Sequence, residues 1–228
     1  MTPDRHHALE SLYHVYWIGG GAAAGKSTIA RRLAQEYGFT LYRGDARWIE
    51  HWRTTTRERD PVAHRIGVTL ERREPFDWFY DRSGQDIADD YVAMGRAEFG
   101  DSVDELLRMP NDKPIIVDAF LGLPRLVLTV ARPERAVFLI STDDFMRKKW
   151  IDRTTPGSPD FLPILRQQLD SCANPGSALD TFIQSNIVQN RIFAEDCSAR
   201  QATLIVTGGQ IRLEDAYAAV TSSFGLDR

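Results

Sequence analysis

Tyr13 to Leu33 reads YHVYWIGGGAAAGKSTIARRL, and the order of residue types in it decides the fold. Val15, Tyr16, Trp17 and Ile18 are β-formers, so His14 to Ile18 is expected to be a strand. A run of glycines and alanines follows, and Lys26-Ser27-Thr28 opens an amphipathic helix. Gly20, Gly25, Lys26 and Ser27 satisfy G-x-x-x-x-G-K-[ST] in the strand–loop–helix context that this motif requires. Gly20, Gly21, Ala22, Ala23, Ala24 and Gly25 leave the loop without bulk, so its N–H groups can turn around phosphate oxygens at the positive end of a helix. Lys26 is expected to reach the outer phosphates and Ser27 to hold Mg²⁺, with Thr28 a further residue of the nucleotide site. The expected ligand is a nucleoside triphosphate, with ATP the assigned donor and the choice between adenine and guanine left open.

Outward from this stretch, Ile29, Leu33 and Tyr37 form one apolar stripe on a helix that Gly38 ends. A second strand, Phe39 to Tyr42, breaks at Gly44-Asp45, and strand, helix and strand make a parallel β-α-β unit. Pro114 to Asp118 and Ala136 to Ile140 are short apolar runs suited to strands buried on both faces, and Thr203 to Thr207 is a fifth. Ser141-Thr142 is expected to cap the helix that follows the fourth strand. Leu179 to about Arg200 and Leu213 to Phe224 read as later helices. The fold expected is α/β: a five-stranded parallel sheet flanked by helices, in one domain over residues 1–228.

Between the second and third strands, residues 46–112 carry arginine, aromatic and acidic residues with no strand pattern, and read as a helical insertion over the nucleotide site. Asp89 to Met94 is one expected helix, and Ser102 with Glu105 is a capping box for a short second one. Trp48, Trp52, Trp78, Phe79 and Tyr80 interleave there with Arg47, Arg53, Arg57 and Arg59, either as an acceptor pocket or as a small core of the insertion's own. Arg53 and Arg57, four apart, share a face if the segment is helical and are the candidate substrate ligands.

The chain's 43% hydrophobic and 26% charged residues place it among globular proteins. A net charge of −4 argues against a nucleic-acid binder held by a general positive field. No apolar run approaches a membrane span and residues 1–12, a helical lead-in, lack the apolar core of a signal peptide, so the expected location is cytoplasmic with no membrane partner. Cys172 and Cys197 make no metal spacing and read as reduced thiols.

Asp118 closes an apolar strand and is the candidate second metal ligand. Asp45, at the tip of the second strand, is placed to accept a proton from an acceptor hydroxyl, although Gly44-Asp45 also suits a turn. Arg147, Lys148, Lys149 and Arg153 precede the proline-rich TTPGSPDFLP, so 143–165 is the expected lid, with Arg147 and Arg153 stabilising transferred charge. Thr207-Gly208-Gly209-Gln210 follows the last strand and is expected beside the nucleotide base. Asp81 to Gly84 lacks a preceding strand and the chain has no N-K-x-D, which argues against a signalling GTPase.

The combination of GGGAAAGKST, the Gly44-Asp45 strand ending, IIVDAF and the arginine-bearing helix resembles the small-molecule and nucleoside monophosphate kinases of the P-loop class. It is most similar to bacterial AAA family ATPase-type proteins with a V-Y-W-I-G-G opening, and more distantly to gluconate, shikimate and chloramphenicol phosphotransferase kinases. The resemblance implies strand order 2-3-1-4-5, Mg-ATP as donor, an acceptor contact at Asp45 and a lid over Arg147 to Arg153. It covers the core and not residues 46–112, so the expected activity is transfer of a γ-phosphoryl group to an unnamed small metabolite or antibiotic. A nucleotide-dependent switch or chaperone-like ATPase with a protein partner is the alternative, a toxin-like kinase acting on sugar nucleotides a third, and the oligomeric state is open.

Overall fold

The computed structural model describes residues 10–119 and 122–227, apart from the side chain of Asp45. Five strands, β1 (Val15–Gly20), β2 (Thr40–Arg43), β3 (Ile115–Asp118), β4 (Ala136–Ser141) and β5 (Leu204–Thr207), form one all-parallel sheet in the order β2-β3-β1-β4-β5. The helices are α1 (Lys26–Tyr37), α2 (Gly44–Thr54), α3 (Pro61–Arg72), α4 (Asp77–Tyr80), α5 (Gly84–Leu106), α6 (Pro124–Val130), α7 (Asp143–Thr154), α8 (Pro163–Asp170), α9 (Pro175–Arg200) and α10 (Leu213–Ser223). Residues 1–9 of the expected lead-in lie outside the described residues.

Every residue of β1, β3 and β4 is buried, because helices cover both faces of the sheet. Side chains alternate between the faces. Val15, Trp17, Ile115, Val117, Ala136 and Phe138 pack with Leu106, Val127 and Cys197 on one side. Tyr16, Ile18, Ile116, Val137 and Leu139 pack with Ile29, Leu33, Ala216 and Val220 on the other. Both cysteines are free and buried, and burial pushes the Cys197 thiol up to about 12. Among the described residues, no helix is long and apolar enough to cross a membrane.

The region between β2 and β3 departs from the expectations in three places. First, Gly44-Asp45 does not break the chain: α2 starts at Gly44, with Arg43 as its N-cap residue. Trp48, His51 and Thr55, at helical spacing, are all buried, and this apolar-side stripe outweighs the turn preference of Gly-Asp. Second, Ser102 caps nothing, since it lies inside α5, where its hydroxyl donates to Glu98 Oε1 at 3.4 Å. Ile87, Tyr91, Met94, Glu98, Val103 and Leu106 form a buried stripe that carries one helix through this point. The actual cap is Ser83, whose Oγ accepts from the Asp86 N–H at 3.1 Å. Third, Arg53 and Arg57 share no helix, because α2 ends at Thr54 and Arg57 lies in the turn before α3. That turn is closed by Asp60, which accepts from the Ala63 N–H at 3.0 Å and from buried His51 Nε2, also at 3.0 Å.

Elsewhere, Ser141 ends β4 and Thr142 is the N-cap residue of α7 without a side-chain cap bond, so the expected Ser141-Thr142 cap is not formed. Helix α9 begins at Pro175, earlier than Leu179, with Asn174 Oδ1 accepting from the Ser177 N–H at 3.1 Å. Trp48, Phe79, Tyr80 and Tyr91 belong to one buried cluster with Met146, Trp150, Phe182 and Ile183 of α7 and α9. The aromatics between β2 and β3 are therefore shared core rather than a core of their own.

Candidate functional site

The stretch between β1 and α1 is shaped by where its backbone must go. Gly20 has φ +117°, and a Cβ there would come 1.9 Å from the Leu139 carbonyl oxygen, so only glycine lets β1 lie this close to β4 while turning. The Gly21 N–H then donates to Leu139 O at 2.9 Å. Ala23 is also left-handed, at φ +58°, and the loop ends at the left-handed N-cap residue of α1. The first amides of α1 precede its i→i−4 ladder and so are open to an acceptor outside the helix.

Three polar side chains pin the loop to the sheet and to α9. Thr207 Oγ1, at the end of β5, donates to Ala24 O at 3.1 Å. Ser141 Oγ, at the end of β4, lies 3.5 Å from Ala22 O. Asn190 of α9 donates from Nδ2 to Ser141 O at 2.9 Å, while its Oδ1 is buried against Gly21. The sequence does not single out Asn190, and it presents Ser141 only as part of a helix cap and Thr207 only as the start of the loop expected beside the nucleotide base. Asn190 and Thr207 lie more than a hundred residues from the loop, and only the sheet order brings them back to it.

Lys26 is buried, and its Nζ donates to Gly21 O at 2.5 Å, which folds the ammonium back across the loop. Ser27 is half-buried and Thr28 exposed in the first turn of α1. Asp118 is 4% exposed and stands in register with Ile18 of β1 and Arg43 of β2. Its Oδ1 is buried without a hydrogen-bond partner among the described residues. A buried carboxylate oxygen left unsatisfied is costly unless something cationic completes it. Ser27 and Asp118 thus fit the sparse, all-oxygen donor set that Mg²⁺ takes when phosphates and waters supply the remaining ligands.

Asp45 falls in the first turn of α2, directly after β2, and its side chain is outside the described residues. Arg147 Nη1 pairs with Asp180 Oδ1 at 3.1 Å, which ties α7 to α9. Arg153 lies over the Trp150 ring at 4.8 Å. Arg53 is exposed near the end of α2. Arg57 instead lines a cleft with Arg65, Trp78 and Arg82, residues that the sequence pattern did not assemble. The structure thus brings Lys26, Ser27 and the end of β3 at Asp118 to the strand ends around the loop, and no sequence pattern for an acceptor accompanies them. No protein-family model matches the chain, and no curated protein matches it.

Proposed function

We propose that the chain is a Mg²⁺-dependent P-loop phosphotransferase that moves the γ-phosphoryl group of ATP to a small-molecule acceptor. The observation that carries this reading is that buried Lys26, bent onto the Gly21 carbonyl, follows β1, while on the adjacent strand β3 buried Asp118 has an Oδ1 without a partner among the described residues. A buried lysine reaching across the loop and a buried carboxylate on the neighbouring strand are the charge types that a polyphosphate with its metal requires.

In this reading the loop amides from Ala22 to Ser27 bind and orient the β- and γ-phosphates. Lys26 releases Gly21 O and moves to the outer phosphate oxygens, a short swing that exchanges one acceptor for a charged one. Mg²⁺ held by Ser27 and Asp118 would neutralise charge that builds on the phosphates. Asp45, in the first turn of α2 and two residues after Arg43, which stands in register with Asp118, would orient the acceptor hydroxyl and take its proton. Arg147 and Arg153 of α7 serve the transferred group, Arg147 after leaving Asp180.

The test is transfer of label from [γ-³²P]ATP into a metabolite extract, comparing the wild type with Lys26→Ala. A labelled product made only by the wild type is expected. Release of inorganic phosphate alone, with every fraction of the extract unlabelled, would overturn the phosphotransferase reading in favour of a plain nucleotide hydrolase.

A further inference from the structure

A cleft of about 700 Å³ opens between α3, α4 and α5, within the size range of small-molecule sites. Four of the side chains that line it are Arg57, His64, Arg65 and Arg82, and Asp90 is its only carboxylate. Asp90 is already engaged, since Arg82 Nη1 lies 2.5 Å from its Oδ2. Among the described residues, no carboxylate lies within ion-pair distance of Arg57 or Arg65. In a chain whose net charge is −4, Arg57 and Arg65 still concentrate positive charge here, although the Glu58 carboxylate is close enough to feel Arg57 and His64.

The cleft is also built rather than merely charged. Arg65 Cζ lies 3.8 Å from the centroid of the Trp78 ring, a cation–π contact that anchors the guanidinium at the cleft. Trp78 is itself fixed: its Nε1 donates to Thr69 Oγ1 at 3.2 Å, and Phe76 stacks near it. Val62 and Val68 supply an apolar wall beside the cations.

We propose that this cleft binds a small molecule carrying a phosphoryl group on an apolar or ring-bearing body, the phosphoryl taken by Arg57 and Arg65 and the body laid along Trp78, Val62 and Val68. Planar guanidinium forks match phosphoryl oxygens two at a time, and two of them together favour a dianion over a carboxylate. The concave shape fits a small molecule better than a nucleic-acid backbone. The site stands on the cleft alone and requires neither phosphoryl transfer nor the loop before α1.

The full chain titrated with 1-naphthyl phosphate by calorimetry tests it, with inorganic phosphate, 1-naphthol and 1-naphthoate as comparison probes. Saturable binding of one equivalent is expected, each comparison probe binding at least about tenfold more weakly. Arg57→Ala and Arg65→Gln should each weaken it by about ten- to a hundredfold, the worth of a hydrogen bond to a charged group. Lys26→Ala should leave it unchanged. The proposal is overturned if no saturable binding occurs, if 1-naphthol or 1-naphthoate binds as well, or if Lys26→Ala abolishes binding while the arginine variants keep it. Arg57 is exposed and supports no packing, so its variant reads the site and not the fold. A cleft that binds nothing while Lys26→Ala still abolishes transfer from ATP removes this inference and leaves the phosphotransferase standing.

Discussion

Asn190 Oδ1 lies 1.8 Å from the point where a Cβ on Gly21 would sit, although the two residues are brought together from α9 and from the loop after β1. The amide fills the space that a bare Cα leaves, and its other end holds the last carbonyl of β4 at 2.9 Å. One side chain, 3% exposed, thereby joins loop, strand tip and helix.

Gly21→Ala should therefore fail through Asn190 and not through its own backbone. Overpacking of this kind costs about 1–3 kcal/mol, and because the loop must shift to relieve it, ATP affinity should fall as well. Asn190→Ala removes the obstructing oxygen. In that background Gly21→Ala should cost much less, with a coupling of about 1 kcal/mol or more in a double-mutant cycle read by thermal melting and by ATP titration. Strictly additive losses would show that the two residues do not meet.

Asp118→Asn should separate metal binding from folding. The native carboxylate has a buried oxygen without a partner among the described residues, so removing its charge should leave the melting temperature without ligand unchanged or higher. The stabilisation by Mg-ATP should shrink, since the affinity for the complex falls by about tenfold or more through loss of a charged metal ligand. If Mg-ATP raises the melting temperature of the variant as much as that of the wild type, Asp118 holds no metal.

The sheet and the loop were readable because their signals are local. Each buried strand is a short apolar run, and Gly20 to Ser27 is contiguous, so spacing alone locates strand, turn and helix. Where a buried stripe crosses a turn-like or cap-like pair, the stripe wins: Trp48 and His51 carry α2 through the Gly44-Asp45 turn signal, and Met94 to Leu106 carry α5 past Ser102. Asn190 was illegible for another reason: it is an ordinary polar residue inside α9 and gains meaning only when the fold brings it onto the loop. The bond from Thr207 to Ala24 O likewise depends on the sheet order and not on the Thr-Gly-Gly-Gln pattern. The cleft around Arg65 and Trp78 likewise depends on how α3, α4 and α5 pack, which no spacing rule states.

The shared aromatic cluster predicts cooperative unfolding. Phe182 of α9 stands edge-on to Trp150 of α7 at 4.7 Å and to Tyr80 of α4 at 6.2 Å. Phe182→Ala should cost about 3–5 kcal/mol and lower one common transition for the whole chain. Circular dichroism and tryptophan fluorescence should report the same midpoint. Two separated transitions would mean that the helices between β2 and β3 hold together without α7 and α9.

The buried pair of His51 and Asp60 makes a pH-dependent contribution whose sign is fixed by the carboxylate. Both side chains are nearly inaccessible, with His51 Nε2 at 3.0 Å from Asp60 Oδ2 and the Ala63 N–H on Oδ1. Burial alone would raise the Asp60 pKa, but the hydrogen bonds from His51 and from the start of α3 outweigh it and hold the group below its ordinary value of 3.8. A depressed folded-state value means that the stabilisation is present above the unfolded pKa of about 3.9 and is lost as pH falls through the lower, folded one. Asp60→Asn keeps a capping oxygen for Ala63 and removes the charge. The variant should be less stable than the wild type by about 1–3 kcal/mol at pH 6–7, with the gap closing as the pH drops below about 4. Urea midpoints measured from pH 3 to pH 7 decide it, and a gap that stays constant over that range, or widens towards acid, would show that the Asp60 charge contributes nothing to holding α2 against α3.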